Sequence, residues 1–218
     1  MLKCAQRIQN DLGVQTVDLL QFHVWDDSWA DHPAFVDVVD ELRESGIVAS
    51  IGISVNTWQP ANVIKALDTG RIDVVQVIYN LFEQAPEDVL FPYCVEHDIG
   101  VIARVPFDEG SLTGTLTANT RFEGDFRAQY FGSKNLPETL DRVAGLTADL
   151  PEGLSLPEVA LRFVLSHPAV STVIPGMRSR RHVADNLACS DKGPLSNELL
   201  GTLRRHRWDR DPSSPWAN

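Results

Sequence analysis

The sequence has few cysteines, no long apolar run and no excess of positive charge. Its three cysteines stand far apart in the 218 residues, so we expect neither a disulfide framework nor a CxxC metal site. No apolar stretch approaches the length that crosses a membrane. The formal net charge of −11 repels a phosphate backbone, which argues against general nucleic-acid binding. A small-molecule partner is therefore the expected one, without nucleic acid, membrane or metal.

The beginning of the chain also lacks the basic patch and apolar core of a secretory signal, so we predict a cytoplasmic protein. The apolar fraction of 43% and the charged fraction of 22% are ordinary for a folded globular protein. The length suits one α/β domain. We expect residues 1–218 to form that single domain, with a closing helix and tail over 195–218.

Branched apolar runs recur about every 25 to 30 residues with helical patterns between them, which is the spacing of parallel βα units. The predicted strands cover residues 17–23, 47–54, 73–80, 99–104 and 170–174. The predicted helices cover residues 2–12, 33–45, 62–67, 86–96, 137–150, 156–166, 181–188 and 195–206. No strand is followed by the Gly-x-Gly-x-x-Gly or Gly-Lys-Ser/Thr loop of nucleotide-binding open sheets, so a barrel of parallel strands is favoured.

The stretch from 105 to 157 is much longer than the other connections of this repeat. A connection of that length in a compact domain is usually a binding loop or a lid rather than a spacer. Gly110 and Gly114 near its start are candidate hinges. We therefore expect this insertion to be a binding loop or a lid.

Polar side chains stand where the predicted strands end. The carboxyl ends of parallel strands meet at one face, where loops can vary without disturbing the core. The residues concerned are His23 with Asp26, Ser54 with Asn56, Gln76 with Tyr79 and Asn80, Arg104, and Arg178 after Pro175 and Gly176. Hydroxyls, amides and a guanidinium suit the recognition of a planar carboxamide or a phosphate. These strand ends indicate a polar cofactor, and His23 is the first candidate for a functional residue.

Each of these residues also has a purely structural interpretation. His23 after an apolar strand can be a polar cap bonded to a neighbouring strand. Gln76 can satisfy backbone groups inside the barrel, and the arginines from Arg178 to Arg181 can be a solvated first helical turn. The residues alone leave these alternatives open.

Several longer segments, read in order, resemble one family. They are DLLQFHVWDD, SIGISVN, VVQVIYN, IARVPFDEGSLTG and STVIPGMRSRRHVADN. Their order and spacing are similar to about the last five βα units of the aldo-keto reductase family, which folds as a (β/α)8 barrel. The resemblance implies an NADP-dependent enzyme that reduces aldehydes and ketones to alcohols. It also implies that the chain is a partial barrel that lacks the first three βα units.

The family's site residues can be carried over onto matching positions. His23 matches the active-site histidine that orients the substrate carbonyl, and Ser54 and Gln76 match the residues that hold the nicotinamide carboxamide. Asn56 stands one residue beyond the family's asparagine, because Val55 intervenes. The other implied cofactor contacts are Arg104, which replaces a stacking aromatic, Pro106, Gly110, Leu112, Gly176 in place of a lysine, Arg178 for the 2′-phosphate, His182, and Asn186 for the adenine. Trp25 and Trp58 are candidates to line a substrate pocket, with a packing role as the equal alternative.

The resemblance leaves the family's proton donor without a match. That tyrosine, with its lysine and aspartate, lies upstream of the histidine, where this chain has only 22 residues. Tyr79, Tyr93 and Tyr130 all follow His23. Because a positioned proton donor contributes a factor of about 10² to 10⁴ in rate, we predict a poor reductase unless a missing segment or a second chain completes the barrel.

Two alternatives of other classes stay open. The chain could be a non-catalytic NADP-binding or assembly module, which would bind cofactor without turnover. It could also be an unrelated barrel enzyme that uses His23 with Asp26 or Asp27 as an acid–base pair, with turnover that survives the loss of NADP.

Overall fold

The computed structural model describes residues 1–23, 25–56 and 58–210, and in this part of the chain five strands form one sheet. The strands are β1 (Val17–Phe22), β2 (Val48–Ser54), β3 (Val74–Ile78), β4 (Gly100–Arg104) and β5 (Thr172–Ile174). They lie side by side in sequence order. β2 pairs in parallel with both β1 and β3. The prediction of an α/β fold with a parallel sheet is thus confirmed.

The described helices connect these strands as the repeat predicts. They are α1 (Leu2–Leu12), α2 (Ala34–Glu44), α3 (Ile64–Leu67), α4 (Leu90–Glu96), α5 (Arg127–Tyr130), α6 (Asn135–Ala148), α7 (Leu156–Leu165), α8 (Arg180–Asp191) and α9 (Asn197–Arg204). The end of α1 follows from its sequence, since Gly13 adopts the left-handed conformation, with φ 67°. None of the described helices is long and apolar enough to cross a membrane.

Two predicted helices are shorter than expected. The pattern over 62–67 divides between a 3₁₀ turn at Pro60–Val63 and the short helix α3 at Ile64–Leu67. The pattern over 86–96 divides into a 3₁₀ turn at Ala85–Glu87 and α4, because Val89 has non-helical backbone angles. Apolar spacing alone did not separate a 3₁₀ turn from an α-helix.

The chain divides into two compact units. Of the described residues, the first unit contains those within 1–77 and 86–102, and the second contains 78–85 and 103–210. In the first unit Gly52 lies between β1 and β3. A Cβ atom there would stand 3.0 Å from the Val74 carbonyl oxygen and 3.1 Å from Cγ of Gln21, so a side chain at residue 52 would crowd both neighbouring strands.

The second unit packs around α7, of which six side chains are buried. Tyr79, just after β3, stacks on Phe163 of α7 with ring centroids 5.6 Å apart. Ser155 caps the helix by accepting a hydrogen bond from the backbone N–H of Glu158. That the sheet belongs to an eight-stranded barrel without its first three units, and that the chain is one domain, stay predictions.

Candidate functional site

Ser54 and Gln76 stand opposite one another at the ends of β2 and β3 in the first unit. They are register partners, and the N–H of Val55 donates to the carbonyl of Gln76 at 2.8 Å. Ser54 is only 5% exposed. The side-chain amide of Gln76 donates to Oε1 of Gln21, on β1, at 3.3 Å. The sheet therefore brings a hydroxyl and two amides together, although the Gln21 contact also fits the structural interpretation of Gln76.

His23 lies at the mouth of a cavity of about 490 Å³ in the first unit. The cavity is enclosed by α1, β1 and the start of α2, and side chains such as Phe22, Trp29 and Phe35 make it largely apolar. His23 itself is exposed. An exposed imidazole beside an apolar cavity can donate a hydrogen bond to an oxygen of a bound molecule.

Trp25 is a packing residue beneath this cavity. It is 3% exposed, and its ring contacts Phe35 at 5.3 Å, Trp29 at 5.6 Å and Phe22 at 6.2 Å between centroids. Its buried indole Nε1 has no hydrogen-bond partner among the residues the structure describes. Burial favours the packing role over the implied substrate contact, whereas Trp58 is half-buried and its substrate role stays a prediction.

The acids that follow β1 accept hydrogen bonds from other described residues. Asp26 accepts hydrogen bonds from the backbone N–H and the hydroxyl of Ser28, which lower the pKa of Asp26. Asp27 accepts from the side-chain amides of Asn56 at 2.7 Å and Asn62 at 2.9 Å. These contacts engage Asp26 and only Oδ2 of Asp27, whereas Oδ1 of Asp27 is buried without a hydrogen-bond partner among the described residues. The described residues also contain no group of His, Cys, Asp and Glu that could hold a metal ion.

Two hydrogen bonds engage both polar atoms of the Asn56 side chain. Its amide donates to Asp27, and its carbonyl oxygen accepts from the N–H of Gln59 at 2.9 Å. The residue thus ties the loop after β2 to the loop after β1. Its implied cofactor contact stays a prediction, but the geometry favours a structural role.

In the second unit β4 ends at Arg104, and the loop after it carries Pro106, Gly110 and Leu112. Arg104 is half-buried, and burial lowers its pKa while the nearby carboxylate of Glu109 opposes that shift. Pro106 and Leu112 are buried, so they shape the loop from inside. Gly110 has φ 111°, a conformation that is strained for any residue with a Cβ.

The loop after β5 and the start of α8 form the other candidate segment of this unit. The side chain of Ser179 accepts from the N–H of His182 at 3.1 Å and so caps α8. The amide of Asn186 donates to the carbonyl of Gly176 at 3.3 Å. Arg178 and His182 are exposed. This segment therefore presents a capped helix N-terminus beside the cation of Arg178.

An ion pair between Asp125 and Arg127 lies near both of these loops. Asp125 accepts hydrogen bonds from the side chain and the backbone of Arg127, which hold the pKa of Asp125 at about 2, with a smaller contribution from Arg178. The guanidinium of Arg127 lies 4.0 Å from where a Cβ of Gly110 would stand. Gly110 and Arg178 are therefore neighbours of the same pair.

A buried polar cluster in the second unit was missed by the sequence reading. Asp108 is 1% exposed and forms an ion pair with Arg210 at 2.8 Å. Tyr130 and Ser111 also donate to Asp108. Asp108 stands inside the segment that carries the family resemblance, which was a usable signal, but no pattern in the sequence marks Arg210.

The tyrosines have environments that do not suit a proton donor. Tyr93 donates to Asp68 at 2.7 Å, and burial together with that acid raises its pKa to about 12. Burial and the neighbouring Asp108 raise the pKa of Tyr130 strongly. Tyr79 is fully buried.

Comparison with known proteins identifies the family. The model of the aldo/keto reductase family matches residues 1–207. An uncharacterized oxidoreductase of Bacillus subtilis, YqkF, is 28% identical over 176 residues, which are 78% of this chain and 54% of that protein. An NADH-specific methylglyoxal reductase of Escherichia coli is 26% identical over 189 residues, which are 81% of this chain and 55% of that protein.

A solved structure with the same fold is the holo form of an aldo-keto reductase from Bacillus halodurans. It matches with a TM-score of 0.75 and 23% identity over 98% of this chain and 66% of that one. The chain spans about half the length of the curated relatives it matches. Because the family model covers nearly all of the chain, this protein belongs to the aldo-keto reductase family of oxidoreductases.

Proposed function

We propose that this chain holds the cofactor of an NADP-dependent aldo-keto reductase that reduces aldehydes and ketones to alcohols. The observation that carries the proposal is the pairing of Ser54 with Gln76 at the ends of adjacent strands. A planar carboxamide has both a donor and an acceptor. A hydroxyl and a primary amide side by side fit that pattern, so Ser54 and Gln76 would hold the nicotinamide carboxamide.

His23 would act on the substrate. Bound nicotinamide donates or accepts a hydride in this chemistry. His23 would donate a hydrogen bond to the carbonyl oxygen and hold it in a fixed orientation at the mouth of the apolar cavity. The apolar walls of that cavity would exclude water from the oxygen, which strengthens the hydrogen bond.

In the second unit, Arg178 would bind the 2′-phosphate that distinguishes NADP from NAD. A guanidinium makes two parallel hydrogen bonds to a phosphate, and the capped N-terminus of α8 adds backbone N–H groups that favour an anion. His182 would add a further contact, and Asn186 and Gly176 would frame the adenine. The Escherichia coli relative is named as NADH-specific, so cofactor preference has to be measured for this chain.

The proton donor would come from polypeptide outside these 218 residues, and the added segment would extend the sheet at β1 towards a full barrel. The raised pKa values of Tyr93 and Tyr130 support this proposal, because a donor to a carbonyl oxygen needs a pKa near the working pH. The position of β1 at the edge of the described sheet also supports it. The completing segment can be a part of the same protein or a second chain.

The test is a titration of the chain with NADPH and NADH, followed by cofactor fluorescence. We expect saturable binding that prefers NADPH. Arg178→Ala should weaken NADPH about 10- to 100-fold, because a charge-assisted hydrogen bond to phosphate is lost, and should affect NADH less. Gln76→Ala should weaken both cofactors alike. Arg7→Ala and Gln6→Ala are matched controls, since both residues are exposed on α1.

Turnover of simple aldehydes, measured beside binding, separates the alternatives. Binding with turnover about 10² to 10⁴ below that of a complete family member would support the missing proton donor. Binding without any turnover would favour the non-catalytic module. Turnover that persists without NADPH or NADH would favour the unrelated acid–base enzyme, and a folded chain that binds neither cofactor would refute the proposal.

A further inference from the structure

The backbone of the loop after β4 is strained at several residues in succession. Val105 has φ 56°, Asp108 φ 45° and Glu109 φ 55°, and Gly110 follows with φ 111°. A branched residue such as valine rarely adopts a positive φ. Such conformations persist only where the surroundings impose them, and they concentrate at functional sites.

Asp108 is the point at which the surroundings hold this loop. Its Oδ1 accepts from Nη1 of Arg210 at 2.8 Å and from the hydroxyl of Tyr130 at 2.9 Å. Its Oδ2 accepts from Nη2 of Arg210 at 2.9 Å and from the hydroxyl of Ser111 at 2.6 Å. A buried carboxylate with a two-point arginine contact has little freedom to turn.

Arg210 is itself fixed by the segment that follows α9. Its side chain is 5% exposed and lies over the ring of Trp208, 4.3 Å from the centroid. The N–H of Trp208 donates to the carbonyl of Phe82 at 2.9 Å. Nη1 of Arg210 also donates to the hydroxyl of Tyr130 at 2.7 Å. Contacts other than the one with Asp108, to a ring and a hydroxyl, thus also fix the position of the guanidinium.

We infer that Arg210 is a positioning residue for the cofactor: its two-point contact with Asp108 holds the loop over 105–110 in the strained shape that presents Gly110. The inference rests on the proposed function for its consequence, cofactor affinity. Arg210 would touch no cofactor atom. The segment after α9 would nevertheless fix the conformation of the loop after β4 in the absence of cofactor. Cofactor binding would then not have to order this loop, so less binding free energy would be lost.

Two variants test this inference in the full chain. Arg210→Lys keeps the charge but cannot make the two-point contact. The double variant Asp108→Asn with Arg210→Gln removes both buried charges together, so that neither remains uncompensated if the single variant fails to fold. Arg205→Lys is the matched control, since Arg205 is exposed in the same segment.

Hydrogen exchange in the absence of cofactor reads the loop directly. We expect backbone amides over 105–114 to exchange at least about tenfold faster in both variants, while those of α7 keep their rates. Unchanged exchange over 105–114 would overturn the inference, whatever the cofactor result. Faster exchange in α7 as well as the loop would also overturn it, because Arg210 would then stabilise the unit as a whole.

Cofactor titration measures how the conformation of this loop affects cofactor affinity. We expect the dissociation constants of NADPH and NADH to rise by the same factor, about tenfold, because both variants leave Arg178, the proposed contact of the 2′-phosphate, in place. A larger loss for NADPH would overturn the positioning role in favour of a direct phosphate contact. Absence of binding by the parent chain would refute the proposed function and leave the exchange experiment to decide the inference.

Discussion

Replacement of Glu83 by glutamine should make the stability of the variant, relative to the parent, rise as the pH increases from 4.5 to about 7. Glu83 is 8% exposed, and burial is the main reason why its pKa is raised from 4.5 to about 7. The negative charges of Asp108 and Asp209 also raise this pKa, whereas the positive charge of Arg210 lowers it. The unfolded chain therefore releases this proton at a lower pH than the folded chain does. Between pH 4.5 and about 7 the folded state binds more protons, so stability falls as pH rises.

The magnitude follows from the size of the shift. One pKa unit corresponds to about 1.4 kcal/mol, so a rise from 4.5 to about 7 costs the folded state about 3 kcal/mol above pH 7. Below pH 4.5 both states are protonated and the cost disappears. Glutamine does not titrate. The stability of Glu83→Gln relative to the parent should therefore rise by about 1.4 kcal/mol per pH unit across this window.

Urea unfolding of both proteins from pH 4.5 to 8 measures this difference. The amide of glutamine can cost a constant amount if its N–H groups lack partners, so the slope of the difference with pH is the test and not its offset. Glu152→Gln is the control, because Glu152 is exposed, and its difference should stay flat. A flat difference for Glu83→Gln, or one that falls as pH rises, would refute the reasoning.

Two further substitutions test the packing that supports the site. Gly52→Ala should destabilise the protein by about 1 to 3 kcal/mol, because a Cβ would stand 3.0 Å from the Val74 carbonyl oxygen. Gly145→Ala in α6 is the control, since its Cβ meets no atom within 4 Å, and it should stabilise the protein by about 0.5 to 1 kcal/mol. Urea unfolding measures both changes in free energy, and changes of the same sign would contradict the argument. Ser155→Ala should cost about 1 kcal/mol through loss of the cap of α7, with Ser155→Asp close to the parent in the same assay.

Local physics explains which elements were predictable. Helix α1 agrees with its sequence pattern at both ends, because apolar spacing and a following glycine act over a few residues. The strands that carry Ser54 and Gln76 were predicted to within a few residues for the same reason. Their opposition across the sheet follows from the parallel βα repeat, which places consecutive strands side by side.

Partners distant in the chain could not be predicted in this way. Asn56 is engaged by Asp27, 29 residues away, so a residue that the family resemblance assigns to the cofactor also holds two loops together. Asp108 is paired with Arg210, 102 residues away. No window of sequence contains both members of such a pair, and the cost of burying each charge depends on the presence of the other.

The sequence by itself determined the α/β repeat, the polar strand ends and the family, because these depend on local propensity, apolar period and short motifs. Only the tertiary structure decided which polar residues face one another, which tyrosines are bound to acids, and that burial raises the pKa of Glu83. Those properties depend on burial and on charges brought together by folding, and burial is a property of the packed chain rather than of any segment of it.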